Sequence, residues 1–314
     1  MKRYILSRIF MLALVAFGVS VLVFISLRIV PGDAATVLLE KYGDPQQLEI
    51  VRHQLGLDQP KPVQFLRWLA SFGTPDWGRS LRTNAPVREV VLGRILPTVQ
   101  LAVAAMIISA TVGISLGVFS ATRRNSWIDY AARSVSFVAL SVPSFWLAIL
   151  LVLFFSVRLR LFPSIGFAAA WEDPWQALKL TALPALALAI PQAAVIMRFT
   201  RSALLEVLGQ DYIRTARAKG LRERKVVYRH ALKNALISVI TIVGIQMGFL
   251  LGGAVVVETI FQWPGLGYGA FQALRSRDYP VAQGIVLFTT FFFALVTLLV
   301  DIGYALIDPR IRYD

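Results

Sequence analysis

The chain contains no cysteine and only two histidines, His53 and His230, in 314 residues. Disulfides, thiolate metal sites and cysteine nucleophiles are therefore excluded, and two histidines in separate loops make no metal-binding cluster. No Gly-x-x-x-x-Gly-Lys-Ser/Thr loop is present to cradle a nucleotide phosphate, and neither a His-Glu-x-x-His pair nor a Gly-x-Ser-x-Gly elbow occurs. The sequence offers no candidate catalytic residues. Charge is also scarce: 16% of residues are Asp, Glu, Lys or Arg, against about 25% in soluble domains. None of them, and neither histidine, falls near the middle of a long apolar run; Glu258 and Asp301 lie near run ends. Ion-coupled carriers usually need such a mid-membrane group, so its absence counts against that class.

What the chain does have is apolar length. It is 57% hydrophobic with mean hydropathy +0.65, too apolar for a soluble protein. Six segments can each cross about 30 Å of hydrocarbon as helices: roughly Ile9–Val30, Thr98–Ala121, Ser134–Val157, Leu180–Phe199, Ile237–Val257 and Val281–Ile307. The first resembles a signal peptide, but its apolar run exceeds the usual length of about 7–15 residues and no small-x-small site follows. The net charge of +14 is concentrated in alternate loops. Lys2, Arg3 and Arg8, then Arg123, Arg124 and Arg133, then ten basic residues from Arg198 to Lys233, then Arg310 and Arg312 share one side. The positive-inside rule makes that side cytoplasmic, with both termini in the cytoplasm and nucleic acid excluded as the reason for the charge.

The outer segment 31–97 is the longest stretch outside the spans. Asp44-Pro45 with Gln47 has the cap, first-turn proline and capping-box pattern of a helix that Gly56 ends. Pro62 starts another, with Val63, Phe65, Leu66 and Leu69 on one face. These two helices are too small to bury a core of their own. Within the spans, Ser141-Val142-Pro143-Ser144 interrupts the third, Pro184 and Pro191-Gln192 the fourth, and Gln246 sits near the centre of the fifth. Interrupted helices at mid-depth point to a substrate path, which makes Ser141, Ser144, Gln192 and Gln246 its candidate residues; the same residues also serve simply to join helices. Gly113/Gly117 and Gly244/Gly248/Gly252 have the spacing that lets helices approach closely. The run Gly265-Leu266-Gly267-Tyr268-Gly269 reads as a turn, since no strand leads into it.

The most distinctive segment is the charged island Glu206–Asn234. Asp211 is placed to cap a helix of about two turns over Tyr212–Lys219, which Gly220 closes in a left-handed conformation. A second, basic helix is expected from about Glu223 to Asn234. Two readings are open: an ordinary basic loop, or a rigid knob that a cytoplasmic partner pushes.

Motifs along nearly the whole chain resemble one family. They are Pro31-Gly32-Asp33, Leu55-Gly56-Leu57-Asp58, Asp76-Trp77-Gly78-Arg79-Ser80 with Pro86-Val87, and Ser141 to Trp146. Further along come Ala216 to Gly220, His230 to Asn234, Glu258-Thr259-Ile260-Phe261, Trp263 to Gly267, Arg277 to Pro280 and Asp308-Pro309-Arg310. The chain thereby resembles the inner-membrane permease subunits of binding-protein-dependent ABC importers of the dipeptide/oligopeptide/nickel class. The resemblance implies an all-α integral membrane fold, a type I ABC importer transmembrane domain. It would have six transmembrane helices and a helical outer loop between the first two, and would occupy 1–314 as one permease domain with outer loop 31–97 and cytoplasmic loop 200–234.

It also implies that Asp211, Tyr212, Ile213, Arg214, Thr215, Ala216, Arg217, Ala218, Lys219, Gly220 and Leu221 form the coupling helix that sits in a groove on an ATPase. Arg214-Thr215-Ala216 stands where the general signature has Glu-Ala-Ala, and Ser238 replaces a proline, leaving the start of the fifth span less sharply defined. The implied partners are a second homologous permease, two ATP-binding subunits, an extracytoplasmic substrate-binding protein and the bilayer. No cofactor binds this chain, with ATP and Mg expected on the ATPases, and the location is the bacterial inner membrane. Short peptides are the leading cargo. Nickel complexes, opines, glutathione and sugars are alternatives, as is, from another class, an ion-coupled secondary carrier; a structural or signalling role is disfavoured by the interrupted helices.

Overall fold

The computed structural model describes residues 2–29, 53 and 58–307. Apart from His53, the expected helix from Asp44 to Gly56 lies outside the described residues, as do the Pro31-Gly32-Asp33 and Asp308-Pro309-Arg310 motifs and most of Leu55 to Asp58. The helices are α1 (Lys2–Ile29), α2 (Lys61–Ser71), α3 (Val87–Thr122), α4 (Trp127–Ser141), α5 (Ser144–Leu151, continued by a π-helical stretch Val152–Arg158), α6 (Pro174–Leu208) and α7 (Asp211–Ala218). After a short turn of helix, Glu223–Lys225, and π-helical Val226–Ala231 come α8 (Leu232–Gly253), α9 (Val255–Ile260), α10 (Leu266–Arg275) and α11 (Tyr279–Ile307). Extended pairing among the described residues is confined to a single antiparallel bridge, Arg79 with Pro86. The fold is all-α.

Four unbroken helical stretches have the length and apolarity of a span: Val87–Thr122, Pro174–Leu208, Glu223–Gly252 and Tyr279–Leu299. The α4–α5 pair is bent by 99° at its break, and taken as one span it brings the number to five. For the first expected span, Ile9–Val30, helix α1 is present and its apolar described stretch is Phe10–Ser26. Two compact units are distinguished: residues 1–98 with 264–295, and residues 99–263 with 296–314.

In the first unit the outer-segment motifs are stitched together by polar bonds. The buried Asp278 carboxylate accepts from the Ser80 hydroxyl at 2.5 Å and from the Leu81 amide at 3.1 Å. Arg82 donates to the Ser276 carbonyl at 2.9 Å. Two sequence motifs about two hundred residues apart thus share one hydrogen-bonded node. Helix α2 packs by aromatic contacts, Phe65 against Phe17 and Phe24, with Trp68 against Phe24 and Phe72. Phe65 and Leu69 are half-buried as expected, but Val63 and Leu66 are exposed; Trp68 is half-buried instead, its ring against Phe24, Phe65 and Phe72. The Gly265–Gly269 run is not a turn. Gly265 is extended and caps α10, whose first residues are Leu266 and Gly267. The Thr98 hydroxyl accepts the Leu266 amide at 2.8 Å, satisfying one of the orphan donors of that helix end.

The second unit is built around α6. It packs against α4, α5 and α8, and its alanines Ala185, Ala187, Ala189 and Ala193 are buried. Pro184 and Pro191 were expected to interrupt this helix, yet it runs unbroken through both. Each proline deletes one backbone donor, but neighbouring helices enclose α6 and hold its course, which is how membrane helices tolerate proline. The Ser141–Ser144 break is present. Val142 precedes Pro143 and is extended (φ −83°, ψ 122°), because the proline ring disfavours a helical conformation for the residue before it. Helix α3 meets α6 at Gly113 and Gly117. A Cβ on Gly117 would stand 2.6 Å from the Thr200 Cβ, and one on Gly113 2.7 Å from the Ala193 carbonyl oxygen. The spacing is a packing device.

Candidate functional site

The island between α6 and α8 folds as a small helix pinned by its apolar residues and closed by a glycine. Gln210, extended at φ −75° and ψ 149°, is the N-cap and makes no side-chain cap bond. This corrects the assignment of Asp211 as cap. Asp211 is the first helical residue, and its carboxylate accepts from Arg214 at 3.3 Å. A carboxylate in the first turn still complements the partial positive charge of the helix start. The helix spans Asp211–Ala218, one residue off the expected range at each end.

Its C-terminus is a Schellman motif. Gly220, at φ +76°, donates to the Arg217 carbonyl at 2.9 Å, and Leu221 donates to the Ala216 carbonyl at 3.4 Å. Leu221 also packs on the cluster that contains Ala216, the apolar contact that accompanies this motif. Ile213 is fully buried and Ala216 nearly so. They seat against Val118 and Ala121 of α3, Leu204 of α6, and Val226, Val227, Ala231 and Ala235 on the way into α8.

The polar face is held more loosely. Arg217 makes a two-pronged contact with Glu223 at 3.1 and 2.7 Å, and this bond raises the already high pKa of the guanidinium. Tyr212 is tied to the next element: Asn234 Nδ2 donates to its hydroxyl at 2.8 Å and to the His230 carbonyl at 3.0 Å. The separate helix expected over Glu223–Asn234 is instead the start of the fifth span. The helical path runs from Glu223 through the π-helical turn into α8, and Ser238 causes no break in it. The π-helical hydrogen bonding over Val226–Ala231 rotates the register, leaving Val226, Val227 and Ala231 buried against α7. Arg214, Arg217, Lys219, Arg222, Arg224, Lys225 and Arg229 are outside the buried cluster, so the exposed face is strongly basic.

Of the four candidate path residues, two meet. Gln246, buried in the fifth span, donates through Nε2 to Gln192 Oε1 in the fourth. Paired amides satisfy each other where the surroundings are apolar. The described hydrogen bonds do not extend this pair to Ser141 or Ser144, which lie at the α4–α5 break; Ser141 donates to the Phe137 carbonyl of its own helix at 2.9 Å.

One polar node escaped the reading of the sequence. Asp129 of α4 is fully buried and accepts from Arg201 Nε and Nη2 at 2.7 and 2.8 Å, from Ser120 at 2.6 Å and from the Asn125 amide at 3.0 Å. Half of the signal was legible, since Ser126 followed by Asp129 has the spacing of a helix cap, and Ser126 accepts the Asp129 amide at 3.4 Å. Arg201 lies 72 residues away, and nothing local announces it.

Comparison with known proteins adds the following. The family model for the inner membrane component of binding-protein-dependent transport systems matches residues 113–313. A second model, for the N-terminal part of such membrane components, matches residues 1–102. A Brucella abortus protein named for a peptide transport system permease is 44% identical over 314 residues, covering all of both chains. The dipeptide transport system permease protein DppB of Alkalihalophilus pseudofirmus is 38% identical over 333 residues, again with full coverage of both. The glutathione transport system permease protein GsiC of Escherichia coli K12 is 41% identical over 313 residues with the same coverage. Among solved structures, the MetNI methionine ABC transporter in inward-facing conformations matches with TM-score 0.58 at 19% identity, over 70% of this chain and 97% of that one. That last likeness concerns the fold.

Proposed function

The chain belongs to the binding-protein-dependent transport system inner membrane component family, and from that premise we propose that it forms half of a translocation path for short peptides. As a permease component of a binding-protein-dependent ABC importer it carries no ATPase chemistry of its own; ATP-hydrolysing and substrate-binding partners supply hydrolysis and delivery. In our reading a second, homologous permease completes the path, two ATP-binding subunits carry the ATP and Mg, and the whole chain acts as one permease domain. Both termini and the α7 island face the cytoplasm.

The observation that carries the coupling role is the construction of α7. A two-turn helix with Ile213 and Ala216 buried beneath it and a Schellman closure at Gly220 is stiff enough to transmit a push. Its exposed face, with Arg214, Arg217 and Lys219, offers the cation-rich surface that an acidic groove would accept. We assign contact with an ATPase to Asp211–Leu221, and the path lining to Ser141, Ser144, Gln192 and Gln246. The peptide assignment rests on the names of full-length relatives; another full-length relative is named a glutathione permease, and glutathione is the alternative cargo.

The test is uptake of labelled di- and oligopeptides by liposomes containing this chain with its neighbouring-gene permease, ATPases and binding protein. Uptake that requires both ATP and the binding protein is expected. Uptake of nickel complexes alone would reject the peptide assignment, and transport by this chain alone driven by an ion gradient would reject the importer mechanism.

A further inference from the structure

Asp129 of α4, fully buried, and Arg201 of α6 form an ion pair with no assigned role, beside the helical turns that seat α7. Asp129 receives four hydrogen bonds, from Ser120 at the end of α3, from Asn125 in the turn, and twice from Arg201 of α6. Arg133 approaches the same carboxylate at 3.7 Å and lays its guanidinium over the Tyr130 ring. Ser120 is flanked by Val118 and Ala121, which line the seat of Ile213 and Ala216. Arg201 lies three residues before Leu204, on the same face of α6, and Leu204 lines that seat as well. The α7 socket and the Asp129 node are therefore two sides of one block made from the ends of α3 and α6.

We propose that Asp129 and Arg201 are positioning residues for energy coupling. By locking the α3 end, the α3–α4 turn and α6 together, they make the wall that α7 pushes against move as a unit. Apolar contacts alone can slide past one another. A two-pronged guanidinium–carboxylate contact with two further donors fixes orientation as well as distance. Loss of the lock leaves α7 seated on Ile213 and Ala216, but lets its displacement be absorbed by slippage between α3 and α6 rather than delivered to the spans. The proposal rests on the coupling role assigned to α7.

The experiment measures substrate transported per ATP hydrolysed by the fully assembled importer, for wild type, Asp129→Asn and Arg201→Gln. The single variants are expected to hydrolyse ATP in response to the binding protein while the transport ratio falls about fivefold or more, in the range of ordinary coupling energies. A merely structural role lowers the amount of assembled complex but not the ratio per complex. If a single variant does not assemble, Ser120→Ala carries the same test by removing one donor; a smaller drop in the ratio is expected. A wild-type ratio in Ser120→Ala and in every single variant that assembles would overturn the proposal. A wild-type complex that shows no ATP-driven uptake at all would instead overturn the importer reading on which it rests.

Discussion

At Gly220 the backbone alone dictates the residue. The position where a Cβ would stand is open, with nothing within 4 Å, so bulk is not the objection to a side chain there. The objection is φ +76°, where an L-residue other than glycine pays about 1–2 kcal/mol. Gly220→Val is expected to fray the end of α7 and lower coupled transport, the β-branch making it the worst case. Gly220→Asn should stay close to wild type, because asparagine tolerates this region. Amide exchange over 216–221 checks both: faster exchange in Val than in Asn is predicted, and equal exchange would show that the Schellman closure is not what holds the helix. The Arg217–Glu223 pair invites the opposite expectation. Both side chains are around half exposed, at 43% and 58%, so solvent screens their attraction. Glu223→Gln should change the thermal midpoint of the complex by the equivalent of about 1 kcal/mol or less, and the difference should shrink further in high salt.

At the scale of elements, the anchoring of α7 depends on burial. Ile213→Ala removes a fully buried side chain from the cluster under the helix, at a cost of about 2–5 kcal/mol for a large-to-small change in a packed site. Since the loss is local, it should appear as exchange of the 211–221 amides well before the spans unfold. Retained protection across that segment would contradict the seat described for it. Helix α3 makes a complementary case. Gly117→Leu places a branched side chain where a Cβ already lies 2.6 Å from Thr200 and 2.9 Å from the Met197 carbonyl. The α3–α6 approach must widen, and a stability loss of about 1–3 kcal/mol is expected, read as a lower thermal midpoint of the purified complex.

These elements also show what the sequence could disclose. Gly220, the Ser141–Ser144 break and the Gly113/Gly117 spacing were readable because each is a local backbone constraint. The cap at Gln210, the unbroken course of α6 through Pro184 and Pro191, and the merger of Glu223–Asn234 with the fifth span were not. In each of those the outcome is decided by neighbouring helices: enclosure of α6 outweighs the two lost donors, and burial of Val226, Val227 and Ala231 draws the basic segment into one helical path. The Asp129–Arg201 pair was hidden for the same reason, since its halves meet only through the fold.

For the whole molecule, the absence of cysteine becomes an experimental asset, because a single introduced cysteine reports one position without background from the rest of this chain. The central claim is that α7 lies in the cytoplasm and contacts an ATPase. Arg214→Cys places a thiol on the exposed face of α7, at a side chain 74% exposed. A benzophenone attached there photocrosslinks whatever surface lies against it, without requiring a particular partner side chain. In the assembled importer the account predicts an adduct with the ATP-binding subunit, and labelling of Cys-bearing protein in sealed cells only after the membrane is permeabilised. An adduct with the substrate-binding protein, or labelling of that position by an impermeant thiol reagent from outside, would contradict it.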